Sequence, residues 1–150
     1  MKLVVQRVKS ASVKVDGKTV GETGSGLLVL IGVSHDDTAA DAAFLAKKTI
    51  NLRIFDDADG VMNRSVLDAG GSILAISQFT LYGDCKKGNR PSYIEAAGPE
   101  KGMALYDEYV GQLRGFGLRV KTGIFQAEMD VSLINEGPVT LILESTGRKE

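Results

Sequence analysis

The sequence predicts one intertwined α/β domain with two main helices. Three observations carry that reading. At 150 residues the chain is one domain's worth, and no linker-like shift in composition divides it. Each half reads as strands, then a helix, then more strands. The stretch 52–55 follows the first helix much as 118–125 follows the second, which favours one interwoven unit over two separate ones.

Composition narrows the chemistry. The chain is 43% hydrophobic and 25% charged, as ordinary globular domains are. Eighteen basic against nineteen acidic residues leave a net charge of −1. A protein that tracks a long nucleic-acid backbone shows a basic excess, so any nucleic-acid partner is expected to be held through a few local contacts. Cys85 is the single cysteine, which excludes a disulfide framework and suits a reducing compartment. Strand-like alternation starts at Leu3, no signal-peptide pattern is present, and no apolar run reaches membrane-spanning length. A soluble, cytoplasmic protein without membrane association is expected. His35 is the only histidine. One cysteine and one histidine do not make a zinc site of the usual ligand set, and no metal or cofactor is expected. A Ser-His-Asp or Cys-His arrangement would have to use His35, whose run Ser34-His35-Asp36-Asp37 reads as a solvated loop. Any catalysis here must need little side-chain acid–base help.

In chain order, residues 3–8 alternate as a strand. Val13-Lys14-Val15 and Thr19-Val20 flank Asp16-Gly17-Lys18, a hairpin signal. Gly21, Gly24 and Gly26 precede the apolar run 27–31 and do not link a strand to a helix, so they fail the dinucleotide fingerprint and read as turn glycines. Thr38 and Asp41 form a capping-box pattern ahead of a helix over 39–51, with Ala42, Leu45, Thr49 and Leu52 on one face. Arg53-Ile54-Phe55 reads as a strand and 56–60 as an acidic turn. That turn is no EF-hand loop, since Phe55 and Val66 fall where carboxylates are needed. Residues 73–76 form a buried strand. Pro99 opens a second helix with Met103, Tyr106, Val110 and Leu113 on one face, ended by Gly115 or Gly117. Residues 118–122 return as a strand, and 129–134 pairs with 139–143 around a turn.

Three stretches stand out as chemistry. The strand 73–76 exits into Ser77-Gln78-Phe79-Thr80, polar groups that are costly at a buried strand end unless hydrogen-bonded. They read either as a satisfied polar patch or as a site. Lys86-Lys87-Gly88-Asn89-Arg90-Pro91 reads either as a solvated loop or, through Lys86, Lys87 and Arg90, as a phosphate contact. Asn135-Glu136-Gly137-Pro138 reads either as a structural turn or as a place where backbone approaches a ligand.

Together these stretches resemble the D-aminoacyl-tRNA deacylases. The resemblance runs from Val4-Val5-Gln6-Arg7-Val8 through Asn51-Leu52-Arg53-Ile54-Phe55, Ser77-Gln78-Phe79-Thr80-Leu81, Lys87-Gly88-Asn89-Arg90-Pro91-Ser92 and Val131-Ser132-Leu133 to Gly137-Pro138-Val139-Thr140. It implies a mixed, largely antiparallel, barrel-like sheet in a homodimer with the active site at the subunit interface. It implies that Ser77, Gln78, Phe79 and Thr80 line the pocket for the 3′-terminal aminoacyl-adenosine, with Phe125 and Met129 near the adenosine. The Gly137-Pro138 peptide, cis in that family, would enter from the partner subunit, held in place by Arg7. D-Aminoacyl-tRNA, and glycyl-tRNA mischarged on alanine tRNA, are the substrates so implied.

The chemistry agrees with that expectation. An aminoacyl ester is already activated, so its cleavage chiefly needs a positioned water and donors for the tetrahedral oxyanion. Backbone N–H groups around Phe79 and Thr80 are candidate donors. Thr80 has two competing roles: a nucleophile, which needs a nearby base, or an orienting group, with the substrate's ribose 2′-OH activating water. Gln126, Gly102 and Gly83 depart from the residues usual in the family, the first two near the pocket. Two rival readings are a non-catalytic module that captures RNA ends through the basic loop, and an esterase or peptidase for free D-amino-acid derivatives.

Overall fold

Strand β1 (Lys2–Val15) is the spine of the computed structural model, which describes residues 1–147. The two stretches of alternation in the first fifteen residues merge into this one strand. On one side β1 pairs antiparallel along nearly its whole length with β8 (Asp130–Glu144). On the other side its first half pairs with β3 (Gly26–Gly32) and its second half with β2 (Lys18–Thr23). The β1–β2 turn has Asp16 at φ 50° and Gly17 at φ 78°, the left-handed pair that a two-residue hairpin requires.

From β3 the sheet continues in parallel through β6 (Ser72–Ser77) to β7 (Val120–Thr122). Parallel neighbours need long crossovers, and the two helices supply them: α1 (Ala39–Asn51) between β3 and β6, and α2 (Pro99–Gly115) between β6 and β7. The far edge curls until β2 meets β7, so the sheet nearly closes into a barrel. A short hairpin of β4 (Phe55–Asp56) and β5 (Met62–Arg64) stands apart as its own two-stranded sheet.

Because β3 and β6 are covered on both faces, they read as continuous apolar runs. Leu27, Val29, Ile31, Ile73 and Ala75 pack beneath the helices with Leu45, Tyr109 and Leu113. Leu28, Leu74 and Ile76 face the other way and fill the barrel with Val8 and Val13. Each such buried branched side chain contributes about 1.5–3 kcal/mol. Between the helices, buried Thr49 donates its hydroxyl proton to Leu45 O (2.8 Å). Its 2.9 Å contact with Tyr109 therefore has the phenol as donor. The Thr38–Asp41 capping box forms as expected, with Thr38 N–H donating to the Asp41 carboxylate (2.8 Å).

Several expectations are corrected. The stretches 129–134 and 139–143 are not two strands joined by a turn but parts of the single strand β8, both paired to β1. Gln6 faces Thr140 and Val8 faces Asn135, so two steps along β1 answer to five along β8, and three residues are extruded as a bulge carrying Gly137-Pro138. Gly21 and Gly26 lie in strands, not turns. A Cβ on Gly21 would meet Thr122 O at 2.4 Å across the barrel seam, and one on Gly26 would meet Ser72 O at 1.8 Å. Met103 is exposed, and α2 instead buries Leu105 and Tyr109 beside Tyr106, Val110 and Leu113. The strand expected at 53–55 reduces to Phe55–Asp56, and that at 118–122 to Val120–Thr122. Those two strands lie in different sheets, so the two halves do not correspond there.

Candidate active site

The β3–β6 ladder ends where the polar stretch begins. Ile31 faces Ser77, and Gln78 N–H then donates to Ile31 O (2.7 Å) as a last rung. The chain next tightens into a 3₁₀ turn (Phe79–Tyr82), closed by Leu81 N–H to Gln78 O (3.2 Å) and Gly83 N–H to Thr80 O (2.9 Å). In such a turn the first donor able to reach back is that of Leu81, which leaves the Phe79 and Thr80 amides without an acceptor inside the turn. Gly32 makes room for it: a Cβ there would lie 3.0 Å from Leu81 Cβ and 3.3 Å from Gln78 O. Burial, and next the nearby Asp37 carboxylate, raise the Tyr82 hydroxyl's pKa above the ordinary phenolic value.

A cavity of about 570 Å³ opens beside this turn, outside the carboxyl ends of β3 and β6. Crevices at that end of parallel strands are where α/β sheets bind ligands. Ser77, Gln78 and Phe79 form one wall, Phe125 and Met129 another, and the first turn of α2 at Gly98, Pro99 and Gly102 a third. The α2 wall is tied to the end of β3 by Ala97 N–H to Val33 O (2.9 Å). Phe125 rests on Tyr106, ring centroids 6.3 Å apart, and Tyr106 OH donates to Ala75 O (2.7 Å). Burial, and next the charge of Asp107, push the Tyr106 hydroxyl up to about 12. Met129 lies over Gly123, where a Cβ would meet its sulfur at 2.5 Å. At the mouth, exposed Phe79 meets the edge of Tyr93 with centroids 5.2 Å apart.

Ser77, Gln78, Phe79, Phe125 and Met129 are therefore brought to one cavity from distant parts of the chain. Thr80 is exposed on the turn just beyond the lining, and its hydroxyl accepts a hydrogen bond from the Gln78 amide. An amide nitrogen is no base. His35 is on an exposed loop, its ring against Asp36 (3.2 Å).

Arg7, Gly137 and Pro138 do not line this cavity. They build the β8 bulge. The Gly137-Pro138 peptide is cis, and both residues are exposed. Buried Arg7 donates from Nε to Glu136 O (3.0 Å) and from Nη1 to Ile54 O (2.7 Å), with Asp56 at 3.4 Å. Asn135 closes the neck: its Oδ1 accepts from Val139 N–H (2.7 Å), and its Nδ2 donates to Thr140 Oγ1 (2.9 Å). Lys86, Lys87 and Arg90 sit in an exposed loop whose base is a double backbone hydrogen bond between Asp84 and Ser92 (2.8 and 2.9 Å). Sequence reasoning missed Tyr93, and it named Asn135 within its stretch without the clamping role of the side chain. An asparagine just ahead of Glu-Gly-Pro was a usable signal for a side-chain clamp, whereas nothing local distinguished Tyr93.

Comparison with known proteins bears on the whole chain. Residues 4–144 match the family model described as D-Tyr-tRNA(Tyr) deacylase. The D-aminoacyl-tRNA deacylase of Thermosipho africanus (strain TCF52B) is 57% identical over 145 residues, spanning 97% of this chain and 97% of its own. That of Bacillus licheniformis is 58% identical over 145 residues, spanning 97% and 99%. That of Thermus aquaticus is 53% identical over 146 residues, spanning 97% and 96%. Among solved structures, the c-Myc DNA unwinding element binding protein superposes with a TM-score of 0.90 at 41% identity, over 96% of this chain and 98% of its own. A second, described as a "probable eukaryotic D-amino acid tRNA deacylase", shares the fold with a TM-score of 0.80 at 19% identity, over 95% and 98%. With family match, near-complete coverage and fold in agreement, the chain belongs to the D-aminoacyl-tRNA deacylases, a family of hydrolases.

Proposed function

We propose that the protein hydrolyses the ester of D-aminoacyl-tRNA as a homodimer, with the terminal adenosine seated against Phe125 and Met129 and the ester at the 77–80 turn. The observation that carries this reading is a polar turn beside a largely apolar cavity, its Phe79 and Thr80 amides without an acceptor in the turn and an amide, not a base, on the Thr80 hydroxyl. Such a site suits an activated ester: it orients substrate and stabilises an oxyanion through the Phe79 and Thr80 amides. Thr80 is an orienting group in this mechanism, and the substrate's ribose 2′-OH activates the water.

The partner subunit completes the site with its Gly137-Pro138 peptide. Support for dimerisation comes from β8, which among the described residues pairs on one side only and exposes Val131, Leu133, Ile134 and Ile142. Carbonyls of Gly137 and Pro138 capture the α-amino group, so the ester and the amine are fixed and the Cα substituent has one direction left. A D side chain points to open space and an L side chain meets backbone. Glycine, with no side chain, is admitted, which makes glycyl-tRNA a second substrate. Lys86, Lys87 and Arg90 contact tRNA phosphates.

Deacylation of D-tyrosyl-tRNA against L-tyrosyl-tRNA, with chelator present, tests the reading. Rapid loss of the D ester alone is expected, and loss of both esters would remove the backbone filter. A second reading, a non-catalytic nucleic-acid-binding module, is favoured by the basic loop and by the name of the DNA unwinding element binding protein. It predicts tRNA binding without turnover.

A further inference from the structure

We propose that Tyr93 is a stacking platform for the base of the nucleotide immediately 5′ of the terminal adenosine. This rests on the deacylase reading of the same cavity. Tyr93 lines the cavity mouth yet is 40% exposed, and its neighbour Phe79 is 56% exposed. Their T-shaped contact, with planes at 64°, fixes the Tyr93 ring while leaving apolar surface open to solvent. That surface adjoins a cavity already proposed to hold one nucleoside.

The ring is also braced from below. A Cβ on Gly83 would lie 3.0 Å from both Tyr93 Cε1 and Thr80 O, so the bare glycine leaves room for the ring and the 3₁₀ turn to meet. Gly83 N–H is bonded to Thr80 O (2.9 Å), which ties the ring's support to the backbone of the reaction turn. On its other side Tyr93 directly follows Ser92, one of the two residues whose paired hydrogen bonds close the Lys86, Lys87 and Arg90 loop.

Nucleoside cavity, exposed aromatic and cationic loop are thus consecutive, since Tyr93 lines the cavity mouth and directly follows the Asp84–Ser92 base of the loop. This is the order that an unpaired strand presents as terminal nucleoside, next base and next phosphates. Single-stranded ends are commonly gripped by an aromatic face beneath a base and a basic loop along the backbone.

The test compares D-tyrosyl-tRNA with the 3′-D-tyrosyl ester of adenosine alone, which lacks the next nucleotide. For Tyr93→Ala, the ratio of kcat/KM for the tRNA ester to that for the adenosine ester is expected to fall about tenfold, the order of one base–aromatic stack. Tyr93→Phe keeps the ring and is expected to keep the ratio. An equal loss on both substrates, or an unchanged ratio in Tyr93→Ala of unaltered melting temperature, would overturn the proposal. Wild-type protein that cleaves neither ester would instead overturn the deacylase reading, and this one with it.

Discussion

Two places in this molecule break off strand pairing, one at the end of β6 and one within β8, and they are braced in opposite senses. The turn after β6 is held from within. Gln78 continues the ladder to Ile31, Gly32 makes room for the turn, and a cavity lies under its side chains. The bulge in β8 is held from behind, by Arg7 and the Asn135 side chain, and its Gly137-Pro138 tip is exposed. One opens on a cavity and the other projects to solvent. In the homodimer proposed above, the tip of each copy completes the cavity of the other.

The largest expected effect falls on the bulge. Arg7→Ala leaves the carbonyls of Glu136 and Ile54 without their donor, which costs about 3 kcal/mol. Chemical denaturation measures that loss, and deacylation by the remaining folded protein is expected to drop at least as sharply. An active, stable Arg7→Ala enzyme would break the comparison.

High pH attacks the other region. The Tyr106 hydroxyl, under the cavity wall, has its folded-state value raised from 10.0 to about 12. A raised value means that the neutral phenol is favoured in the folded state, so its stabilisation is intact below pH 10 and vanishes as pH climbs through about 12. Two pK units correspond to about 2–3 kcal/mol. Urea midpoints followed from pH 9 to 12 should fall, and Tyr106→Phe should flatten part of that fall.

Gly137→Ala comes next. At φ 135° a Cβ would lie 2.9 Å from Val139 Cγ2 and 3.2 Å from the Arg7 guanidinium. A residue forced into this region costs about 1–3 kcal/mol. Activity should fall more than the melting temperature does, because the distortion sits at the exposed tip. The smallest effect has the opposite sign. Gln126 lines the cavity at φ 65°, so Gln126→Gly should stabilise the protein by about 1 kcal/mol, read as a higher melting temperature.

What the sequence made legible was local. Helix α1 is found at its expected bounds because Thr38, Asp41 and the apolar face all signal within a few residues. The runs at β3 and β6 were legible because strands covered on both faces are apolar throughout. The polar turn was legible because hydrophilic groups at the end of such a run are conspicuous. The β8 bulge was not. Glycine and proline in succession look like a hairpin turn, and only the uninterrupted partner β1 makes them a bulge. Gly21 and Gly26 failed for the same reason, since the oxygens that would strike a Cβ belong to Thr122 and Ser72, far away in sequence. Helical spacing places Met103 on the face of Tyr106, Val110 and Leu113 but leaves the facing surface undetermined, and packing buries Leu105 while Met103 stays exposed.

The register of β8 against β1 has a further consequence. If residues 136–138 were excised, Asn135 would still face Val8 and Thr140 would still face Gln6, with Val139 dropping opposite Arg7. The outward tip is therefore arithmetically separable from the ladder that carries it. A lineage could acquire or lose it by one in-frame event of nine nucleotides without rebuilding the barrel.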